Sequence, residues 1–367
     1  MTRGAGRGRS AFGRRLVLAC ALPVLLGLSS TAATEGLRIY VPNQMGASIS
    51  VLDGGGRPIE TVDLVALGFT PHAMPHQVAA APDGARWYVT LAGDGFVLAF
   101  DAMNRLVGRT VVSEPGMVVL DPGRDLLFVS RALGAVNPPS SLAVLRASDL
   151  ELLDEPDVFV PRPHALAVDT ISGRAYTGSL STNGIAALDF ASGDVQVTDV
   201  QGPPQAFVGL AVSPDGSTVV ATTQLTDRLL AFTPDRNGRL APIASVAVEA
   251  LPYDVTFSPD GASVWFPNQH AGAVTRVDVA GWRVAVVVRD PAFREPHGVA
   301  LSPDGGTVYV SSHGRAAIPG AADPGAHDMA SPRENGTLAI LDAATGARRS
   351  VSEVGPYAAA LGIAAIR

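Results

Sequence analysis

Ala81-Pro82-Asp83-Gly84, Ser213-Pro214-Asp215-Gly216, Ser258-Pro259-Asp260-Gly261 and Ser302-Pro303-Asp304-Gly305 are four copies of one turn. Pro presets φ, Asp caps its own backbone and Gly takes the positive φ that completes the reversal. These Asp residues are therefore read as structural and not as ligands. Degenerate copies stand at Asp121-Pro122-Gly123 and Asp169-Thr170-Ile171-Ser172-Gly173. Each turn follows a short apolar strand such as Val299-Ala300-Leu301. Each precedes a β-rich segment: Trp87-Tyr88-Val89-Thr90, Leu127-Phe128-Val129-Ser130, Val264-Trp265-Phe266 or Val308-Tyr309-Val310-Ser311. A third strand then ends in Asp, at Asp53, Asp101, Asp189, Asp278 and Asp342, and a turn such as Ala343-Ala344-Thr345-Gly346 leads into a fourth.

Four short strands recurring roughly every 40 to 48 residues is the period of a β-propeller blade. Aligning the residue just before the first strand of each repeat gives His76, Gly116, His164, Val208, Tyr253, His297 and Tyr357. Seven positions predict an all-β chain: one seven-bladed propeller with four antiparallel strands per blade, spanning 34–367. Residues 37–53 supply later strands without a first, and residues 357–366 supply a first strand without the rest. The two ends are expected to pair within one blade and so remove the open edges.

Residues 1–33 read as a cleaved export signal. Arg3, Arg7, Arg9, Arg14 and Arg15 precede the apolar run Leu16 to Leu28, and small residues up to Ala33 follow. The run is too short to span a bilayer, and Arg14-Arg15-Leu16-Val17-Leu18 has the form of a twin-arginine motif. The implied location is periplasmic or secreted, with no transmembrane span in the mature chain. Lipidation at Cys20 is disfavoured, because only Leu16 to Ala19 precede it and the apolar run continues beyond.

All 27 basic residues of this 367-residue chain are Arg. Loss of the five signal arginines takes the formal charge from −7 to −12. An acidic chain without a basic run argues against nucleic-acid and anionic-membrane partners, though its surface suits a basic protein partner. Cys20 is the one Cys and leaves with the signal, which excludes disulfides and Cys-based zinc or iron–sulfur sites. At 47% hydrophobic residues, packing can carry the stability instead.

The repeat resembles the YVTN family of extracytoplasmic seven-bladed propellers, with Trp87-Tyr88-Val89-Thr90 and Val308-Tyr309-Val310-Ser311 standing closest to its tetrapeptide. The resemblance covers essentially the whole mature chain and implies the fold. Quinoprotein amine dehydrogenase-like and lactonase-like propellers share the architecture, so it says little about function.

Chemistry is expected at one end of the central channel. Six of the seven aligned residues follow a Pro (Pro75, Pro115, Pro163, Pro252, Pro296, Pro356), which orients the next side chain without offering an N–H. His297, His76 and His164 come from different sides of the ring. His72, His270, His313 and His327 map to loops of the same face, as do Met45, Met74, Met117 and Met329. His313 opens a long loop, Gly314 to Asn335.

The first reading is a transition-metal site on His76, His164 and His297, with His72, His270, His313 and His327 auxiliary. Imidazole suits copper, iron or zinc, and thioether favours copper. Glu295-Pro296-His297-Gly298-Val299 is similar to the His-bearing loops of the nitrous oxide reductase propeller. This chain lacks that family's paired His-His and its Cys-bearing cupredoxin domain, so that activity is not expected. A second reading is a lactonase-type hydrolase of a small molecule, with Arg294, Glu295 and His297 as catalytic candidates and Glu114, Arg131 and Arg162 also on the rim. A third is a non-catalytic interaction scaffold whose rim His residues only hydrogen-bond loop carbonyls. No phosphate-cradling loop, nucleophile elbow or zinc-protease helix motif occurs in the mature chain.

Overall fold

The computed structural model describes Met1 and residues 36–132, 137–314 and 334–366. Residues 2–33 of the expected signal segment 1–33, together with His327 and Met329, lie outside the described residues. Among the described residues the chain forms seven four-stranded antiparallel sheets, with one short 3-10 turn, Gln44–Gly46, between two of the strands. No helix in them is long and apolar enough to cross a membrane.

Blades 2 to 5 begin with the innermost strands Pro75–Ala80, Pro115–Asp121, Pro163–Asp169 and Phe207–Val212, and blades 6 and 7 with Thr256–Phe257 and Pro296–Leu301. Blade 1 is shared by the two ends of the chain. Gly362–Ala365 pairs antiparallel with Leu37–Asn43, placing Leu37 opposite Ala365 and Tyr40 opposite Gly362. The expected closure is therefore present: a seven-bladed β-propeller closed by both termini.

The apolar residues form seven buried clusters, one at each junction between neighbouring blades. At the first junction Trp87 is fully buried, its ring 4.8 Å from Tyr40 and 4.1 Å from Phe100. Both faces of the inner three strands are covered, so they read as near-continuous apolar runs. The outermost strands face water, and in Pro58–Asp63 only Val62 is buried. Arg residues there pair with the turn aspartates, as Arg57 does with Asp53 and Arg105 with Asp101.

The tetrapeptide has a structural reason. In Trp87-Tyr88-Val89-Thr90, the Tyr88 hydroxyl donates to Ala147 O of the next blade at 2.8 Å and Thr90 donates to Gly116 O at 2.7 Å. In Val308-Tyr309-Val310-Ser311, Tyr309 donates to Gly54 O at 2.9 Å and Ser311 to Ala359 O at 2.6 Å. Residues two apart on a strand share a face, so each pair staples its blade to the following one at two radii. The Pro-Asp-Gly aspartates act as turn caps as expected. Asp215, for example, accepts from the Ser213 and Ser217 hydroxyls and the Ser217 N–H, which holds its carboxyl at about 2.

Candidate binding site at the channel mouth

The aligned residues are placed by a backbone device repeated around the ring. In six blades a non-glycine residue with φ between 50° and 55° stands two positions earlier: Met74, Glu114, Arg162, Ala206, Leu251 and Glu295. Holding an L-residue there costs about 1–2 kcal/mol. In five of these blades the strained carbonyl accepts the N–H at the start of the loop after the second strand: Ala92 to Met74, Leu180 to Arg162, Gln224 to Ala206, Gln269 to Leu251 and His313 to Glu295. The aligned residue then falls in a register break between the first and second strands, as at Pro75/Val78, Pro163/Ala165 and Pro296/Gly298. A break of this kind lifts a side chain out of the ladder and re-aims it, here towards the axis.

The same device corrects the seventh position. Tyr357 has φ 60° and its carbonyl accepts from Gln44 N, so it matches Glu295 and Met74 and not the residue two places on. Ala358 bridges Asn43 as Pro252 bridges Asn268, and Ala359 O takes the Ser311 bond that Gly116 O and Tyr253 O take from Thr90 and Thr222. The axial residue of blade 1 is Ala359. Pro356-Tyr357 imitates the Pro-His step locally, but the register is set by the neighbouring blades.

His76, His164 and His297 converge. Each is 3–4% exposed, and the His76 ring lies 5.7 Å from His164 and 6.5 Å from His297, edge-on in both cases. His297 packs against Tyr253 at 4.1 Å and against His313 at 4.7 Å, and His313 stacks on Tyr357 at 3.6 Å. His313 is only 2% exposed, so it joins this cluster instead of marking the edge of a loop. Its Nδ1 lies 3.4 Å from Glu295 Oε2 and 3.3 Å from Gln269 Nε2. Gln44 Nε2 lies 2.6 Å from His76 Nδ1.

Burial pushes His164 down to about 4, against the pull of a hydrogen bond with the Val208 backbone. It is neutral at pH 7, and its Nδ1 is buried with no hydrogen-bond partner among the described residues. Burial likewise raises Tyr253 to about 12.

Asp254 was not anticipated. It follows Tyr253, where the other blades carry Gln77, Met117, Ala165, Gly209, Gly298 and Ala360. Its Oδ2 accepts Val299 N of the next blade at 3.4 Å, as Gln77 Oε1 accepts Val118 N at 2.6 Å. It is enclosed by protein yet keeps accessible surface, as a group on the channel wall does. Burial raises its carboxyl to about 7, with backbone N–H bonds from Val299 and Val255 opposing. A lone Asp in a register of small and neutral residues was the signal available in the repeat alignment.

Other expected members stand apart. His72 is exposed on its loop, and His270 is half-buried. Met117 is 4% exposed inside the apolar layer between blades 3 and 4, so it is core and not a mouth thioether. Met74 and Met45 are half-buried at the mouth. Of the proposed catalytic trio, Arg294 pairs with Glu334, Glu295 faces His313, and His297 packs on Tyr253 and His313. Among the described residues no group of three or more His, Cys, Asp or Glu is placed to hold a metal ion.

No family model and no curated protein matches the sequence. Solved structures do. A protein from Lactobacillus plantarum aligns at 14% identity over 89% of this chain and 98% of its own, with a TM-score of 0.65. Apo AztD from Citrobacter koseri aligns at 12% identity over 89% and 97%, with 0.59. A streptogramin B lyase aligns at 14% identity over 77% and 83%, with 0.56. The likeness is one of fold. At these identities it assigns no ligand and no reaction.

Proposed function

We propose that this protein is an exported metal-binding propeller whose channel mouth takes a first-row transition ion, copper(II) or zinc, on His76, His164 and His297. The observation that carries the reading is His164: a neutral, buried imidazole whose Nδ1 has no partner among the described residues. Leaving such an atom unsatisfied costs about 1–3 kcal/mol, and a ligand at the axis removes that cost. Two imidazoles on one four-coordinate ion, each with metal–nitrogen bonds of about 2 Å, hold their ring centres about 5 Å apart. The His76–His164 spacing of 5.7 Å is close to that, whereas His297 at 6.5 Å has to draw in. Imidazole donors suit copper and zinc alike, and the thioethers of Met74 and Met45 tilt the choice to copper.

The test is elemental analysis of untagged mature protein followed by copper(II) and zinc titration. One ion per chain is expected, lost in a His76→Ala/His164→Ala/His297→Ala variant and kept in His72→Ala. Absence of stoichiometric binding to the wild type refutes the reading.

One observation favours a second reading, a hydrolase of a small molecule. His313 with Glu295 at its Nδ1 is a carboxylate-oriented imidazole of the kind that serves as a general base. Turnover of a lactone panel that survives chelation and is lost in His313→Gln would support it; silence in both assays leaves an interaction scaffold.

A further inference from the structure

Three Asn-Gly steps stand in the chain: Asn183-Gly184, Asn237-Gly238 and Asn335-Gly336. Such steps lose ammonia readily, because glycine puts no side chain beside the backbone nitrogen that attacks the amide. The fold protects two of them. Asn183 Nδ2 donates to Gly202 O at 3.2 Å and to Pro203 O at 3.0 Å, and its Oδ1 accepts Gln205 N at 3.0 Å. Asn335 Nδ2 donates to Glu353 Oε1 at 2.7 Å, and Gly336 is packed so tightly that a Cβ there would meet Ser312 O at 2.6 Å and Ala358 Cβ at 2.8 Å. Neither amide swings onto the next nitrogen without breaking those contacts.

Asn237 has no such restraint. It is exposed in the turn between Arg228–Pro234 and Leu240–Ala247, the third and fourth strands of blade 5, and its side chain makes no hydrogen bond among the described residues. The turn is held through its backbone: Asp235 Oδ1 accepts Asn237 N at 2.8 Å and Arg239 N at 3.0 Å, and Asp235 O accepts Gly238 N at 2.9 Å. That last bond must open before Gly238 N can attack, so the step is slower in the folded chain than in the unfolded one. The same turn latches two blades. Arg174 of blade 4 donates to Arg236 O at 2.8 Å, and a Cβ on Gly238 would meet Ala187 Cβ at 2.9 Å and Arg174 Cδ at 3.1 Å.

We propose that Asn237 is a self-modification site of the folded protein, and that the isoaspartate formed there releases the Arg174 latch between blades 4 and 5. Gly238 N bonds to Asn237 Cγ, the Cγ–Nδ2 bond breaks, and ammonia leaves with the proton given up by Gly238 N. One water then opens the succinimide. Opening at the side-chain carbonyl gives an aspartyl residue on an unchanged backbone. Opening at the main-chain carbonyl gives isoaspartate, which routes the chain through Cβ and adds a methylene to the backbone ahead of Gly238. Either product adds a negative charge between Arg236 and Arg239, which offset it. Only isoaspartate displaces Gly238, which has no room against Ala187 and Arg174.

Mature protein held at pH 8.5 and 37 °C, folded or in urea, is sampled over weeks. Chymotryptic peptides are then mapped by mass spectrometry, with an isoaspartyl methyltransferase label to mark isoaspartate. In the folded protein Asn237 should lose its amide while Asn183 and Asn335 keep theirs; in urea all three should convert, and Asn237 faster than before. The isoaspartate-bearing fraction, isolated by ion exchange, should show a lower Tm than fresh protein. Asn237→Asp carries the charge without the extra methylene and should keep the wild-type Tm. Arg174→Gln lacks the latch already, so ageing should lower its Tm less than it lowers that of the wild type. The site is refuted if folded Asn237 stays intact, or if Asn183 or Asn335 converts as fast. The latch is refuted if the isoaspartate fraction melts with fresh protein, if Asn237→Asp melts as low as that fraction, or if ageing costs Arg174→Gln as much as wild type.

Discussion

Replacing Asp254 with Asn should stabilise the protein, and only above acidic pH. Burial raises its carboxyl from 3.8 to about 7. At about 1.36 kcal/mol per unit, a shift of about three units amounts to about 4 kcal/mol. The direction follows from proton binding. Between pH 3.8 and 7 the unfolded chain has released the proton and the folded chain retains it. The contribution of Asp254 is therefore fully present below 3.8, falls through this window and is lost above 7. Asp254 keeps part of its surface exposed, which screens the charge and reduces the figure, so about 2–4 kcal/mol is expected. Asn keeps an oxygen for the Val255 N–H that Oδ1 accepts at 3.0 Å, gives up the longer 3.4 Å bond from Val299 N to Oδ2, and carries no charge. Paired urea unfolding curves at pH 4.5, 6, 7 and 8.5 test this. The variant should gain on wild type with rising pH and level off above 7, and the carboxyl 13C shift of Asp254 should titrate over the same range. Parallel stability profiles, or a variant less stable than wild type at pH 8.5, would refute the reasoning.

Three further outcomes follow from the blade junctions and the leader. Gly298→Ala should cost roughly 1–3 kcal/mol by overpacking, read as a fall in Tm, because a Cβ there meets Ser311 Oγ at 2.7 Å, Ala360 Cα at 2.9 Å and Ala359 O at 3.0 Å. Truncation after Gly355 deletes the strand that closes on Leu37–Asn43 and exposes that edge; loss of the cooperative transition, or self-association on a sizing column, is expected. Intact mass of the exported protein should place the mature start at Thr34.

The fold was legible because its signals are local. Pro-Asp-Gly turns, Asp-ended third strands and the Tyr-x-Thr/Ser pairs each need only a few consecutive residues, and all recur at the blade period. Even the shared closing blade was readable, since residues 37–53 lack a first strand and 357–366 lack the others. The site was legible in part. Pro-His at residues 75, 163 and 296 marked the three imidazoles that meet at the axis, because Pro and the preceding strained residue aim the next side chain wherever they occur.

What the chain does not announce is anything decided by the neighbouring blade. Pro356-Tyr357 looks like another Pro-His step, but the Gln44 and Ser311 bonds from outside the segment set Ala359 at the axis. Met117 follows an axial position as Gln77 and Asp254 do, yet its side chain finds the apolar layer beside Phe128. His313 is a loop residue in sequence, and only stacking on Tyr357 and packing on His297 bring it into the cluster. Asp254 looks like an ordinary polar residue until enclosure raises its carboxyl to about 7. Sequence periodicity determines the blades, because turns and strands are short-range. Register, burial and protonation at the mouth belong to the tertiary structure, because each depends on atoms contributed by the next blade around the ring.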